Sequence, residues 1–256
     1  APALPRIAPP LVYWPALQML VQVAVSGAEL HTAAFDPQFR EALRVDWLWA
    51  AGRSSAAFHL LAGNASPAAA LCAELAISQP TLLDDLTDLA VHCPAIRQVN
   101  PGLADRFEEV IAIITAVCHQ ARELAPVLSH GALRTDQFML AAGYGASGEG
   151  RNDRLALIDL DGVCWANPAR DLGNFLAYLT WKAMRQPEHA AFIQHAQQAF
   201  LQGYAQLRAL PDDEWLALYQ AASLLKILGR RYTGLTVQEW PLTEQLLDQA
   251  ATLVKI

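Results

Sequence analysis

Lysine is scarce. Only Lys182, Lys226 and Lys255 occur in 256 residues, and no Lys/Arg-dense run offsets a net charge of -7. A chain without a basic stripe lacks the electrostatic footprint of a nucleic-acid backbone binder; its charge leans mildly toward cationic or metal-bound partners. Charge of either sign is also sparse, at 17% against 54% hydrophobic residues. That balance excludes disorder and predicts a globular chain with a large core, as one big domain or two lobes. The four cysteines, Cys72, Cys93, Cys118 and Cys164, form no CxxC pair. Neither a zinc site nor a disulfide scaffold is thereby suggested, and reduced, mostly buried thiols in a cytoplasmic protein are expected. His59, His92, His119, His189 and His195 have no metal-ligand spacing. No apolar run approaches the roughly 20 residues of a membrane span. Val110 to Cys118 is one of the longer runs and falls in a helical pattern. The start, APALPRIAPP, lacks a basic beginning followed by an apolar stretch, so a signal peptide is not expected.

What is present begins with four prolines in residues 1 to 10, an extended coil. Leu11 to Trp14 and, more strongly, Leu17 to Val25 read as strands. Asp36-Pro37 reads as the cap and first position of a helix reaching about Leu61, with Gly52 as a place for a bend. Residues 65 to 79 are alanine-rich and read as partly helical. Helices are expected over Leu82 to His92, stopped by Pro94, and over 103 to 124. A glycine-rich loop, Gly143 to Asn152, reads as a hairpin tip rather than a phosphate cradle, since no strand-loop-helix context surrounds it. After Pro168 the pattern is all helix: Asp171 to Arg185, Glu188 to Leu207, a third from Pro211, and about 237 to 255. Asp212, Asp213 and Glu214 sit where a helix dipole favours acids; lining a pocket for a cationic substrate is the functional alternative. Most of the seven tryptophans are expected in the core, with an exposed subset as a docking face.

Two stretches carry the chemistry. Ser129 to Leu140 (SHGALRTDQFML) and Leu155 to Phe175 (LALIDLDGVCWANPARDLGNF) set a histidine, carboxylates and an amide at the ends of short apolar runs. Such runs bring their polar ends to the mouth of a small sheet, the arrangement that metal-assisted phosphoryl chemistry uses. Taken alone, Asp159-Leu160-Asp161 could equally be a solvated turn.

The order His130-Gly131-Ala132, four residues, Gln137, then Ile158-Asp159-Leu160-Asp161, then Asn167-Pro168-Ala169-Arg170-Asp171 resembles the aminoglycoside phosphotransferase/choline kinase group of kinase-like enzymes. Val25-Ser26-Gly27-Ala28-Glu29-Leu30 resembles the segment after that group's lobe hinge, and Ala56-Ala57-Phe58-His59 the end of the following helix. The resemblance covers about residues 11 to 250. It implies an α+β fold: a protein-kinase-like large helical lobe over 31-256, with a few short strands and a small-lobe remnant with hinge over 1-30. It implies Mg²⁺ and ATP as cofactors if the chain is active, with Asp159 as main metal ligand, Gln137 as second, and Asp161 assisting. His130 becomes a structural brace for the loop, acting through Asp171.

Two departures weigh against activity. Where the group has its catalytic aspartate, this chain has Ala132, whose methyl neither accepts a proton nor binds a hydroxyl. Asp136, four residues on, is a poor substitute, because the Gln-bearing branch has an Asp there beside its base. Nor does the sequence before the hinge supply the glycine-rich turn or the strand lysine for nucleotide phosphates. The first expectation is therefore a degenerate, pseudokinase-like domain, without a working cofactor, that binds a partner or ligand. The alternatives are a small-molecule kinase acting on an aminoglycoside, amino alcohol or sugar, with an engineered Ala132 or its small lobe elsewhere, and a structural subunit of a larger assembly. Leu17 to Val25 would be an unpaired apolar edge, so a protein partner, a second copy or the proline-rich start is expected to cover residues 11-25.

Overall fold

Short β-branched and aromatic runs pair into small sheets here, and long apolar-periodic runs form helices. The computed structural model describes residues 6-14, 19-61, 77-122, 124-141 and 155-254. The Gly143 to Asn152 loop, Cys72 and most of the alanine-rich stretch lie outside these. The chain forms two compact units. One comprises Ala1–Leu61, Arg134–Gly162 and Gln194–Leu210, the other Ala62–Leu133, Val163–Ile193 and Pro211–Ile256.

The first unit holds a four-stranded sheet in the order β1-β7-β6-β4. Strand β1 (Arg6–Ile7) runs parallel to β7 (Leu155–Leu157), while β6 (Phe138–Ala141) is antiparallel to both β7 and β4 (Gly27–Glu29). The strands β2 (Pro10–Trp14) and β3 (Met19–Gln22) make a separate antiparallel hairpin. The run expected as an unpaired edge thus has a neighbour, supplied by the chain just after the proline-rich start. Helix α1 (Leu30–Ala34) leads to α2 (Glu41–His59). Asp36 does not cap α2: its carboxylate accepts the Gln38 amide at 2.8 Å, closing a turn ahead of the helix. That local bond offers the backbone an alternative to helix, so α2 starts at Glu41 rather than Pro37. Gly52 serves contact with α7 (Ala190–Ala205) rather than a bend. A Cβ on Gly52 would lie 1.8 Å from the Phe200 carbonyl oxygen, and one on Gly203 would lie 1.9 Å from that of Trp49. The two backbones touch where neither has a side chain.

The second unit is mainly helical. Helices α3 (Leu82–Ala90), α4 (Cys93–Val99), α5 (Pro101–Cys118), α6 (Ala169–Arg185), α8 (Asp213–Thr233) and α9 (Thr243–Leu253) enclose a core with Phe107, Ile114, Leu224, Leu228 and Leu246 nearly inaccessible. Pro94 does not stop the chain from turning helical again. It occupies the first turn of α4, where no backbone N–H is needed. Helix α5 ends at Cys118, short of residue 124. A two-stranded ladder of β5 (Val127–Ser129) and β8 (Cys164–Ala166) completes the unit. Three of the tryptophans, Trp47, Trp181 and Trp215, are buried, as the packing expectation had it, whereas Trp14 on the hairpin is 48% exposed. Asp213 and Glu214 occupy the first turn of α8, where the dipole favours them. Among the described residues no helix is long and apolar enough to cross a membrane.

A capping box starts α3: the Thr81 hydroxyl accepts from the Asp84 amide, and the Asp84 carboxylate accepts from the Thr81 amide at 2.7 Å. We expect Thr81→Ala to lower stability by about 1 kcal/mol, read as a shifted urea midpoint at constant slope. An unshifted midpoint would mean that water replaces the cap.

Candidate functional site

Residues 130-133 follow β5 and belong to the second unit; residues 134-137 and 159-161 belong to the first. The two groups are built differently.

In the second unit the loop is pinned by the first turns of α6. Asp171, 1% exposed, accepts the His130 amide at 2.7 Å and the Gly131 amide at 2.8 Å. These bonds hold the loop by its backbone and do not involve the His130 imidazole. Asn174 Nδ2 donates to the Leu133 carbonyl at 2.9 Å, and Arg170 Nε to that of Gly131 at 3.4 Å. Gly131 has φ 85°, a left-handed value that glycine adopts without steric cost. Between these anchors Ala132 is exposed. A rigid frame therefore presents a methyl group where the resemblance calls for a base. Asn174 and Arg170 had drawn no role from the sequence. Arg170 belongs to the resembling stretch Asn167 to Asp171 and Asn174 lies just beyond it, but a helical position says nothing about which carbonyl a side chain will reach.

In the first unit, residues Thr135–Gln137 form a single 3-10 turn before β6. His31 Nδ1 and the Thr135 hydroxyl lie 2.8 Å apart, tying α1 to that turn. Gln137 is buried; its Oε1 accepts the Arg134 amide at 2.6 Å and its Nε2 donates to Asp159 Oδ2 at 3.1 Å. The backbone donor fixes which end of the amide is oxygen. Asp159 has φ 61° and is exposed, as is Asp161 in the turn Leu160–Gly162. Asp136 pairs with Arg134 at 3.2 Å through Oδ2.

This set can be tested against a divalent cation, which takes oxygen donors and repels N–H. Gln137 turns its N–H toward Asp159 and spends its oxygen on the chain. Among the described residues no group of three or more His, Cys, Asp or Glu is arranged to hold a metal ion. As arranged, the pair Gln137-Asp159 satisfies itself, and it does not fit a Mg²⁺ site.

Solved structures share the fold. A glucosamine kinase is 18% identical with a TM-score of 0.58, covering 92% of this chain and 60% of its own; it is also known in complex with glucosamine, ADP and inorganic phosphate. A spectinomycin phosphotransferase, in complex with ADP and spectinomycin, is 9% identical with a TM-score of 0.57, covering 93% of this chain and 71% of its own. A choline/ethanolamine kinase family protein from Mesorhizobium loti is 13% identical with a TM-score of 0.59, covering 99% and 75%. The chain thus spans 60% of the glucosamine kinase's length. These likenesses bear out the expected kinase-like α+β fold. No curated protein is significantly similar to the chain. With the sequence profile of the phosphotransferase enzyme family matching residues 16–210, the chain belongs to that family.

Proposed function

We propose that this is a non-catalytic member of the phosphotransferase enzyme family, in which the pinned loop and helical body serve binding rather than transfer. The observation that carries the reading is the exposed methyl of Ala132 in an otherwise intact loop frame. Losing a general base commonly costs two to four powers of ten in rate. The orientation of the Gln137 amide supports the same reading, since a cation would have to break the Gln137-Asp159 hydrogen bond before using that side chain. The hairpin β2-β3, which exposes Leu11, Val12 and Trp14, is the face we assign to a protein partner or a second copy. A cytoplasmic location suits the buried thiols of Cys93 and Cys164; burial pushes that of Cys164 up to about 11.

A small-molecule kinase using ATP and Mg²⁺ is the second reading. What favours it is that the Asp171 brace is complete and that the glucosamine kinase of like fold is known with a sugar and ADP. One experiment separates the two. Purified protein, with and without Ala132→Asp, is incubated with Mg²⁺-ATP and glucosamine, choline or an aminoglycoside, and phosphate transfer and melting temperature are recorded. The non-catalytic reading expects no transfer and no melting shift with Mg²⁺-ATP for the protein as it stands. A shift of several degrees, or transfer restored by Ala132→Asp, would establish the kinase reading instead.

A further inference from the structure

A cavity of about 280 Å³ opens within the second unit, between α3, α6, α8 and the loop at Gly131. That volume is near the lower end for small-molecule sites. Its wall carries three cations from two parts of the sequence: Arg170 on α6, and Lys226 and Arg230 on α8.

Arg170 is the most constrained. Its side chain is 14% exposed, and its Nη2 donates to Asp85 at 2.7 Å. Its Nη1 is buried and has no hydrogen-bond partner among the described residues. A buried guanidinium nitrogen carries N–H donors in a fixed plane, and leaving them without an acceptor is costly. Lys226 and Arg230 lie one turn apart on the same helix, a like-charged spacing that destabilises a helix on its own. Neither side chain makes a hydrogen bond or ion pair with a described residue. Burial, then Arg230, hold the Lys226 amine below its ordinary value, with Asp85 and Asp88 acting against them and Arg170 with them. His92 is likewise lowered, by burial and then by Arg230 and Lys226.

The acids do not cancel this charge. Asp85 is committed to Arg170, and burial raises its pKa. Asp88 is exposed, as is Arg230, so solvent screens both. A cationic substrate, the type that an acidic pocket would favour, meets two unpaired cations here.

We infer that this cavity binds a small molecule through an anionic oxygen group, a carboxylate or a phosphate, held by Lys226 and Arg230 beside the Arg170 guanidinium. Planar guanidinium and ammonium donors suit such oxygens, and charge-assisted bonds of this kind are the strong ones. The inference deepens the binding-module reading and rests on it for its biological sense, but the contact itself needs no nucleotide.

The test therefore leaves nucleotide out. Inorganic phosphate, malonate and glucosamine are titrated separately into the full chain, with melting temperature and heat of binding as readouts. Phosphate or malonate is expected to raise the melting temperature in a saturable way, and whichever binds tighter identifies the anion. Glucosamine is expected to do nothing. Lys226→Met and Arg230→Met should each weaken that binding about tenfold, as loss of one charge-assisted contact implies. Their melting temperatures without ligand should hold or rise, because like charges are separated. Absence of any anion effect at tens of millimolar would overturn the proposal. So would undiminished binding in the Lys226→Met, Arg230→Met double variant, or a larger effect from glucosamine. A catalytic result from the Ala132→Asp experiment would overturn only the non-catalytic reading, since these titrations contain no phosphoryl donor.

Discussion

Replacing Asp171 with alanine should cost about 3 to 5 kcal/mol of stability, one of the two largest effects expected in this chain. The residue is 1% exposed and accepts two backbone amides, from His130 and Gly131, at 2.7 and 2.8 Å. Each is a charge-assisted bond worth roughly 1.5 to 3 kcal/mol, and its removal strands a donor away from water. Asp171→Asn should cost less, about 2 kcal/mol, since the side-chain oxygen can still accept one amide while the new N–H₂ opposes the other. Urea unfolding gives the size, and hydrogen exchange gives the place: the amides of residues 130 and 131 should lose protection more than those of α5. A cost below about 1 kcal/mol for the alanine variant would show that water enters and that the loop is not held by this carboxylate. Because Ala132 sits inside this frame, a loosened loop should also respond less to Ala132→Asp.

Gly52→Val carries the second large effect, and its origin is steric. Even a methyl at this position would stand 1.8 Å from the Phe200 carbonyl oxygen and 2.7 Å from the Phe200 carbonyl carbon. Those atoms are helix backbone and cannot rotate aside, so α2 and α7 must separate. Overpacking typically costs 1 to 3 kcal/mol and occasionally more; with backbone as the obstacle, about 4 kcal/mol is expected, or a melting temperature lowered by roughly 8 to 16 °C. Gly203→Ala should behave similarly, since its Cβ would meet the Trp49 carbonyl oxygen at 1.9 Å. Gly102→Ala is the control. Its Cβ would find only Asn100 Oδ1, at 3.8 Å, so a gain of up to about 1 kcal/mol from reduced unfolded-state freedom is expected. Equal losses at positions 52 and 102 would show that helix propensity in general, not the crossing, sets the effect.

Much of the organisation could be read from residue order. Helices near 82-90, 169-185 and 213-233 announce themselves through caps, prolines and apolar period, and the strands Val127–Ser129 and Phe138–Ala141 through short apolar runs. The boundaries that shifted did so for local reasons: an aspartate that closed its own turn at residue 36, and a proline that fitted the first turn of a helix at residue 94. Strands β4 and β8, three residues each, were passed over. A three-residue run has almost no period of its own, and only its partner makes it a strand. The order of His130, Gln137, Asp159 and Asp171 was visible in the sequence, and the resemblance alone gave those residues roles.

By itself, then, the sequence determined the kinds of group and their order along the chain: a His-Gly-Ala loop, an amide, an Asp-x-Asp turn, an aspartate at a helix start, and an alanine at position 132. Covalent order carries that information because loop and helix signals act over a few residues. Tertiary structure alone decided what each group touches. It aimed the Asp171 carboxylate at amides 41 and 40 positions away. It turned the Gln137 amide so that its oxygen meets the chain and its nitrogen meets Asp159. It set Gly52 against Phe200, and it gathered Arg170, Lys226 and Arg230 around one cavity. The reason is common to all four: hydrogen-bond direction and steric contact depend on distances of a few ångströms between residues far apart in the chain, and those distances exist only once the helices have packed.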